Sequence, residues 1–146
     1  MSSTYLSLHA HIIFSAKNRD LLIPKERLDD VHAYIGGIIR SLGAKPVQIG
    51  GIEDHIHLLI GFGSEHSVAN LVREIKKRSN VWISEFNPNF KWQTGYAAYT
   101  VSPERLKGVT RYIANQEEHH RKQTFEEERL MLLKLAGVEF DPRYLD

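Results

Sequence analysis

The sequence contains no cysteine. Disulfides and thiolate metal sites are therefore excluded, and an intracellular setting fits. No apolar run approaches the roughly 20 residues that a membrane helix needs. The stretch Met1-Ser2-Ser3-Thr4-Tyr5 has no basic segment leading into an apolar one. Neither a signal peptide nor a membrane partner is expected, and the expected location is cytoplasmic. Internal repeats, low-complexity tracts and linkers are missing too. So is the Gly-x-x-x-x-Gly-Lys-Ser/Thr pattern of a nucleotide-binding P-loop.

What is present is a chain of 146 residues, 42% of them hydrophobic. That supports one compact domain over 1–146 with a real core. Residues 1–69 hold 6 Lys/Arg against 7 Asp/Glu, residues 70–122 hold 10 against 5, and residues 123–146 hold 3 against 6. The formal net charge of +1 hides a cationic middle segment. Such a segment suits a polyanion-binding face, and equally a pair of solvated helix faces.

The apolar pattern predicts a strand over 5–14. A helix follows, opened by Pro24, carried by Leu28, Val31, Ile35, Ile38, Ile39 and Leu42, and ended by Gly43. Short strands follow at Val47–Gly51 and His55–Ile60, joined by a tight turn at Glu53-Asp54. Ser67 caps a helix over 68–85, with Val68, Leu71, Ile75 and Trp82 inward, and Tyr96–Val101 reads as a fourth strand. The order β-α-β-β-α-β is the ferredoxin-like split motif, an α+β class with an antiparallel sheet and both helices on one face. Ser102-Pro103-Glu104 starts a further helix with the stripe Leu106, Val109 and Ile113, the nearest candidate to cover the bare sheet face. Thr124-Phe125-Glu126-Glu127 is a capping box for a last helix, ended by Gly137, with Leu130, Met131 and Leu133 as its buried side. The core is expected over about 5–123, with a C-terminal helix and tail over 124–146 that can dock on it.

His55 and His57 are two apart on a predicted strand. Their side chains share one face while Ile56 and Leu58 point to the other. Two such imidazoles can bind a divalent metal, or simply hydrogen-bond to neighbours. His9 and His11 repeat the spacing but lack the acidic turn Glu53-Asp54, and no metal role is assigned to them. Tyr112 and Gln116, four apart, fall on one face of the helix from Pro103. A tyrosine hydroxyl, with an ordinary pKa of about 10, is a weak nucleophile at neutral pH. A divalent cation held by His55, His57 and the Gln116 amide oxygen would polarise a scissile phosphate and stabilise its transition state. Attack by Tyr112 would then store the phosphodiester energy in a phosphotyrosine, with no need for ATP.

Lys17, Arg19, Arg73, Lys76, Lys77, Arg78, Lys91, Arg105, Lys107 and Arg111 are candidates for DNA phosphate contacts. Trp92 or Tyr96 is a candidate for stacking an unpaired base. The plain alternatives are solvated charge and, for Trp92, core packing.

His55-Ile56-His57 after Glu53-Asp54, followed by Tyr112-x-x-x-Gln116 on a late helix, resembles the single-tyrosine HUH transposases of IS200-like insertion sequences. That family includes repeat-associated tyrosine transposases. Phe14-Ser15-Ala16-Lys17-Asn18-Arg19 and Trp92-Gln93-Thr94-Gly95-Tyr96 support the likeness, which runs from about Tyr5 to Gln123. The resemblance implies a ferredoxin-like fold, usually a homodimer, that cuts and rejoins single-stranded DNA with Mg²⁺ or Mn²⁺ through a 5′-phosphotyrosine intermediate, often at imperfect hairpins. By position it implies His55, His57 and Gln116 as metal ligands and Tyr112 as nucleophile. Imidazole ligands favour softer metals than Mg²⁺, so Mn²⁺ suits this set better. Whether one subunit or two complete the site is left open. Residues 124–146 carry none of the motif; a helix at a dimer interface or a cap on the core would account for them. The same residues also fit a non-mobile HUH endonuclease acting at repeats, or a non-catalytic nucleic-acid-binding module that stacks bases on its sheet.

Overall fold

The computed structural model describes residues 3–17 and 23–144. Strand β1 (Leu8–Ser15) starts later than the alternation suggested, leaving Tyr5 and Leu6 exposed. A 3₁₀ turn at Lys25–Arg27 leads into α1 (Leu28–Ser41), which buries Val31, Ile35, Ile38 and Ile39 at helical spacing. Gly43, at φ 80°, lets the chain turn back. Strands β2 (Lys45–Ile52) and β3 (His55–Phe62) form a hairpin around the Glu53-Asp54 turn. Helix α2 (Val68–Ile83) starts where the Ser67 hydroxyl accepts the Asn70 N–H at 3.1 Å, and β4 (Ala97–Thr100) follows. The sheet order is β2-β3-β1-β4, and every pairing is antiparallel. This is the expected βαββαβ arrangement.

Strand alternation divides the sheet into two faces. Ala10, Ile12, Phe14, Ile56, Leu58 and Ile60 pack under α1 and α2 in the larger core. The intervening positions face the other way, with His11 opposite Leu59, Ile13 opposite His57 and Ser15 opposite His55. A 3₁₀ turn at Pro103–Arg105 leads into α3 (Leu106–Ala114), which covers this second face. There Ile113 packs with Leu59 and Val101, bordered by Val47, Leu106, Val109 and Tyr112. Gly50 makes this docking possible, because a Cβ there would collide with the Ile113 carbonyl oxygen.

The helix from Pro103 does not continue to Gln116. It breaks at Asn115 (φ −102°, ψ 26°), and α4 (Gln116–His119) is a separate turn. The break turns the Gln116 side chain into the sheet face, where it is buried. Its amide N–H donates at 3.3 Å to the Tyr112 carbonyl. In an unbroken helix that carbonyl would accept from the Gln116 backbone.

Helix α5 (Phe125–Ala136) has the capping box read from the sequence, with Thr124 and Glu127 bonded reciprocally, and ends at Gly137 in the left-handed region. Of the expected inward side Leu133 is buried, while Leu130 and Met131 are half-buried. Phe125 and Glu128 are buried as well. The tail returns along α5, so that Phe140 lines a cavity of about 300 Å³ with Phe125, Leu133 and Tyr99. Among the described residues no helix is long and apolar enough to cross a membrane.

Candidate active site and metal centre

The site grows from β3. Its alternation puts His55 and His57 side by side on the face under α3, both without solvent exposure. The turn before the strand supplies Asp54, whose carboxylate lies 2.8 Å from His55 Nδ1. The neighbouring strand supplies His11, whose Nε2 lies 2.8 Å from His57 Nδ1 with the rings stacked. Each β3 histidine is therefore held at Nδ1 and turns Nε2 away from the sheet.

The helices bring the remaining groups. Gln116 Oε1 is 3.2 Å from His55 Nε2 and 3.0 Å from His120 Nε2. His120 follows α4, and its Nδ1 donates to the Gln123 carbonyl at 2.9 Å. Glu128, fully buried on α5, sets Oε1 at 3.4, 3.1 and 3.2 Å from the Nε2 atoms of His55, His57 and His120. Its other oxygen accepts the Tyr112 hydroxyl. That hydroxyl also lies 3.3 Å from His119 Nε2, and the tyrosine ring meets His57 edge-on. Phe125 stacks on His55 at 4.2 Å and closes the site on the α5 side.

Burial and pairing set the charge states. Burial lowers His57 to about 4, with neighbouring His55 and His120 adding to it against the pull of Glu128. His11 falls to about 3, chiefly by burial and then by its neighbour His57. Burial also opposes charge on His55, but Asp54 and Glu128 outweigh it and hold His55 above its ordinary value. Burial would raise Glu128; its hydrogen bonds to His120, His55 and His57 overcome this and keep it ionised. Tyr112 is pushed above the usual phenol value, first by burial and then by the Glu128 carboxylate.

His55, His57, His120 and Glu128 each offer one ligand atom, all within 4.8 Å of one another. Imidazoles with a carboxylate are a donor set that can hold a divalent metal ion. Gln116 adds an amide oxygen to the same place.

Of the residues singled out in the sequence, His55, His57, Tyr112 and Gln116 meet in one chain. The basic candidates divide. Arg73, Lys76, Lys77 and Arg78 ride on α2, across the sheet from the histidines. There Lys76 donates to the Gln93 carbonyl at 2.8 Å, and Arg78 pairs with Glu74 and the Ser41 hydroxyl. Arg105, Lys107 and Arg111 are exposed on the segment that carries Tyr112. Lys17 and Lys91 are exposed and neighbouring, linked by a 2.8 Å backbone bond, while Arg19 lies outside the described residues. Trp92 is only 8% exposed. Its ring packs edge-on against Phe14 and Phe90, and its N–H donates to Ser79. That is the core-packing alternative; the ring is not free to stack a base.

The sequence reading missed His120 and Glu128. His119 ends the Gln116 turn and His120 directly follows it, and Glu128 falls on the stripe between Phe125 and Leu132. A charged residue on an apolar stripe was the available signal.

The family model described as IS200-like transposase matches residues 4–116. The ISDra2 transposase TnpA of Deinococcus radiodurans is 23% identical over 117 residues, covering 75% of this chain and 84% of that protein. A crystal structure ascribed to a transposase of Deinococcus radiodurans R1 superposes with a TM-score of 0.65 at 23% identity, covering 80% of this chain and 95% of that one. A REP-associated tyrosine transposase bound to a REP hairpin gives 0.58 at 15% identity, covering 77% and 68%. His120 and Glu128 lie beyond the segment the family model matches. With that match spanning most of its length, the chain belongs to the IS200-like transposase family.

Proposed function

We propose that this transposase cleaves and rejoins single-stranded DNA, with Tyr112 as nucleophile and a divalent metal held by His55, His57 and Gln116. The observation that carries this reading is the meeting of a tyrosine hydroxyl with two strand histidines and an amide oxygen on one sheet face. In the cleavage step the Tyr112 oxygen attacks the scissile phosphorus. The bond to the 3′ oxygen of the preceding nucleotide breaks, leaving a 5′-phosphotyrosine and a free 3′-hydroxyl. The tyrosine proton leaves to solvent, and Glu128, which accepts that hydroxyl, orients it for attack. Asp54 and His11 hold the two β3 imidazoles in orientation. When bound, the metal supplies Lewis-acid stabilisation of the phosphate charge. Attack by the released 3′-hydroxyl of a second strand reverses the step and rejoins DNA.

The substrate reading is single-stranded DNA bearing a hairpin, the element named for the REP-associated relative, and the assembly reading, which rests on the family resemblance alone, is a homodimer. The cavity bordered by Tyr96, Tyr99, Arg129 and Phe125, the ring that stacks on His55, is a candidate place for an unpaired base. A module that stacks bases on its open sheet is disfavoured, because α3 covers that face. The direct test incubates the protein with Mn²⁺ or Mg²⁺ and single-stranded oligonucleotides tiling the DNA around its own gene. Metal-dependent nicking that disappears with chelator and in His57→Ala is expected. Nicking indifferent to chelator would remove the metal from the account.

A further inference from the structure

We propose that His55, His57, His120 and Glu128 form a four-ligand centre that takes a first-row transition cation, of the Mn²⁺ to Zn²⁺ series, and discriminates against Mg²⁺. The proposal deepens the metal site of the preceding reading and does not require DNA chemistry to be correct.

All three imidazoles have Nδ1 already engaged, by Asp54, by His11 and by the Gln123 carbonyl. All three turn Nε2 toward Glu128 Oε1. A ligating histidine is characteristically held this way, with its second nitrogen on a carboxylate, a carbonyl or another polar partner. The spacing agrees along the three Glu128 edges, and all four ligand atoms lie within 4.8 Å of one another. Bonds of about 2.0–2.1 Å from a tetrahedral metal to nitrogen and oxygen put ligand atoms about 3.4 Å apart. The three Glu128–histidine separations are 3.4, 3.1 and 3.2 Å.

The donor set decides the metal. Three imidazole nitrogens and one carboxylate oxygen suit the transition series. Mg²⁺ prefers six oxygens and keeps several waters, and His55, His57 and Glu128 are wholly shielded from solvent. Gln116 Oε1 is available as a fifth donor beside His55 and His120. Two of the four ligands lie after Gln116, past the segment the family model matches. The C-terminal part of this chain therefore raises the nitrogen and carboxylate count of the site. It also ties α5 to β3 through the metal, so binding should stabilise the fold.

The test is calorimetric titration of chelator-stripped protein with ZnCl₂, MnCl₂ and MgCl₂, alongside the visible absorption of the Co²⁺-loaded form. One Zn²⁺ or Mn²⁺ per chain is expected, with Mg²⁺ binding weaker by at least about 100-fold and a Co²⁺ spectrum of low coordination number. Glu128→Gln and His120→Asn, checked for folding by circular dichroism, should each weaken Zn²⁺ by more than the roughly 10- to 100-fold that losing an outer hydrogen-bond partner costs. Tyr112→Phe, which removes only the hydroxyl that the other Glu128 oxygen accepts, should weaken it by no more than that outer-partner cost. Equal affinity for Mg²⁺ and Mn²⁺ in the native chain overturns the proposal. So does native Zn²⁺ affinity in folded Glu128→Gln and His120→Asn. If a variant does not fold, the native-chain comparison of metals decides alone. Metal binding as expected without DNA cleavage would sink the strand-transfer reading only. Cleavage with a site indifferent to Glu128 and His120 would sink this one only.

Discussion

His11 Nε2 lies 2.8 Å from His57 Nδ1, so the first strand braces the strand that carries His55 and His57 through two buried, neutral imidazoles. This fixes a sign for acid stability. His11 is held at about 3 and His57 at about 4, burial being the first cause for both, whereas an unfolded histidine titrates near about 6.5. The unfolded chain therefore takes up more protons below about pH 6.5, and stability falls as the pH drops from there toward 4. Glu128, held below its ordinary value, acts the same way at the acid end. His55, held above its ordinary value, acts oppositely: its contribution is full below about 6.5 and lost as pH rises through its folded value. Two lowered histidines and the carboxylate outweigh it in acid. For metal-free protein the urea midpoint should fall steadily from pH 6.5 to 4, and His11→Gln should flatten the slope. A midpoint constant over that range would contradict the assignment.

The pairing of His11 with His57 also marks how far the sequence could be read. Period-two alternation and turn residues were enough for the four strands, their antiparallel order and the shared face of His55 and His57. They could not show that His11, set aside as lacking an acidic turn, stands behind His57, because strand register is a tertiary fact. The Tyr112 helix was legible in its stripe. Its break at Asn115 was not, since it depends on Gln116 being drawn into the sheet face. Glu126, Glu127 and Glu128 read alike as acids at a helix start. Only the docked phase of α5 separates Glu127, which caps, from Glu128, which enters the site.

Gly50 sets how closely α3 approaches the sheet. Gly50→Ala should push the Ile113 carbonyl away, cost about 1–3 kcal/mol and displace Tyr112 from the histidines. Gly37→Ala, in α1 with open space around it, should stabilise by about 0.5–1 kcal/mol. Chemical denaturation of the two variants checks the contrast; equal effects would contradict the docking.

Trp92 separates packing from base stacking. Trp92→Phe removes the bond to Ser79 and part of the packing with Phe14 and Phe90, and should cost about 1–3 kcal/mol. Affinity for single-stranded DNA, measured by fluorescence anisotropy well below the unfolding transition, should not change. A large loss of affinity in a fully folded variant would contradict the core placement.

The basic residues divide by sheet face. Replacing Arg105 and Arg111 together by Ala should weaken single-strand binding and lower the log–log salt slope by about 0.7 for each phosphate no longer neutralised. Replacing Arg73 and Lys77, across the sheet, should leave that slope within error. The reverse pattern would place the DNA on the α2 face.

The central claim is that Tyr112 attacks the DNA. Its most direct test is mass spectrometry of the protein after incubation with metal and a cleaved single-stranded oligonucleotide, with peptide mapping of the covalent link. The account predicts a nucleotide joined through its 5′-phosphate to the peptide carrying Tyr112, and none in folded Tyr112→Phe. An adduct on another residue, or cleavage that persists in Tyr112→Phe, would contradict it.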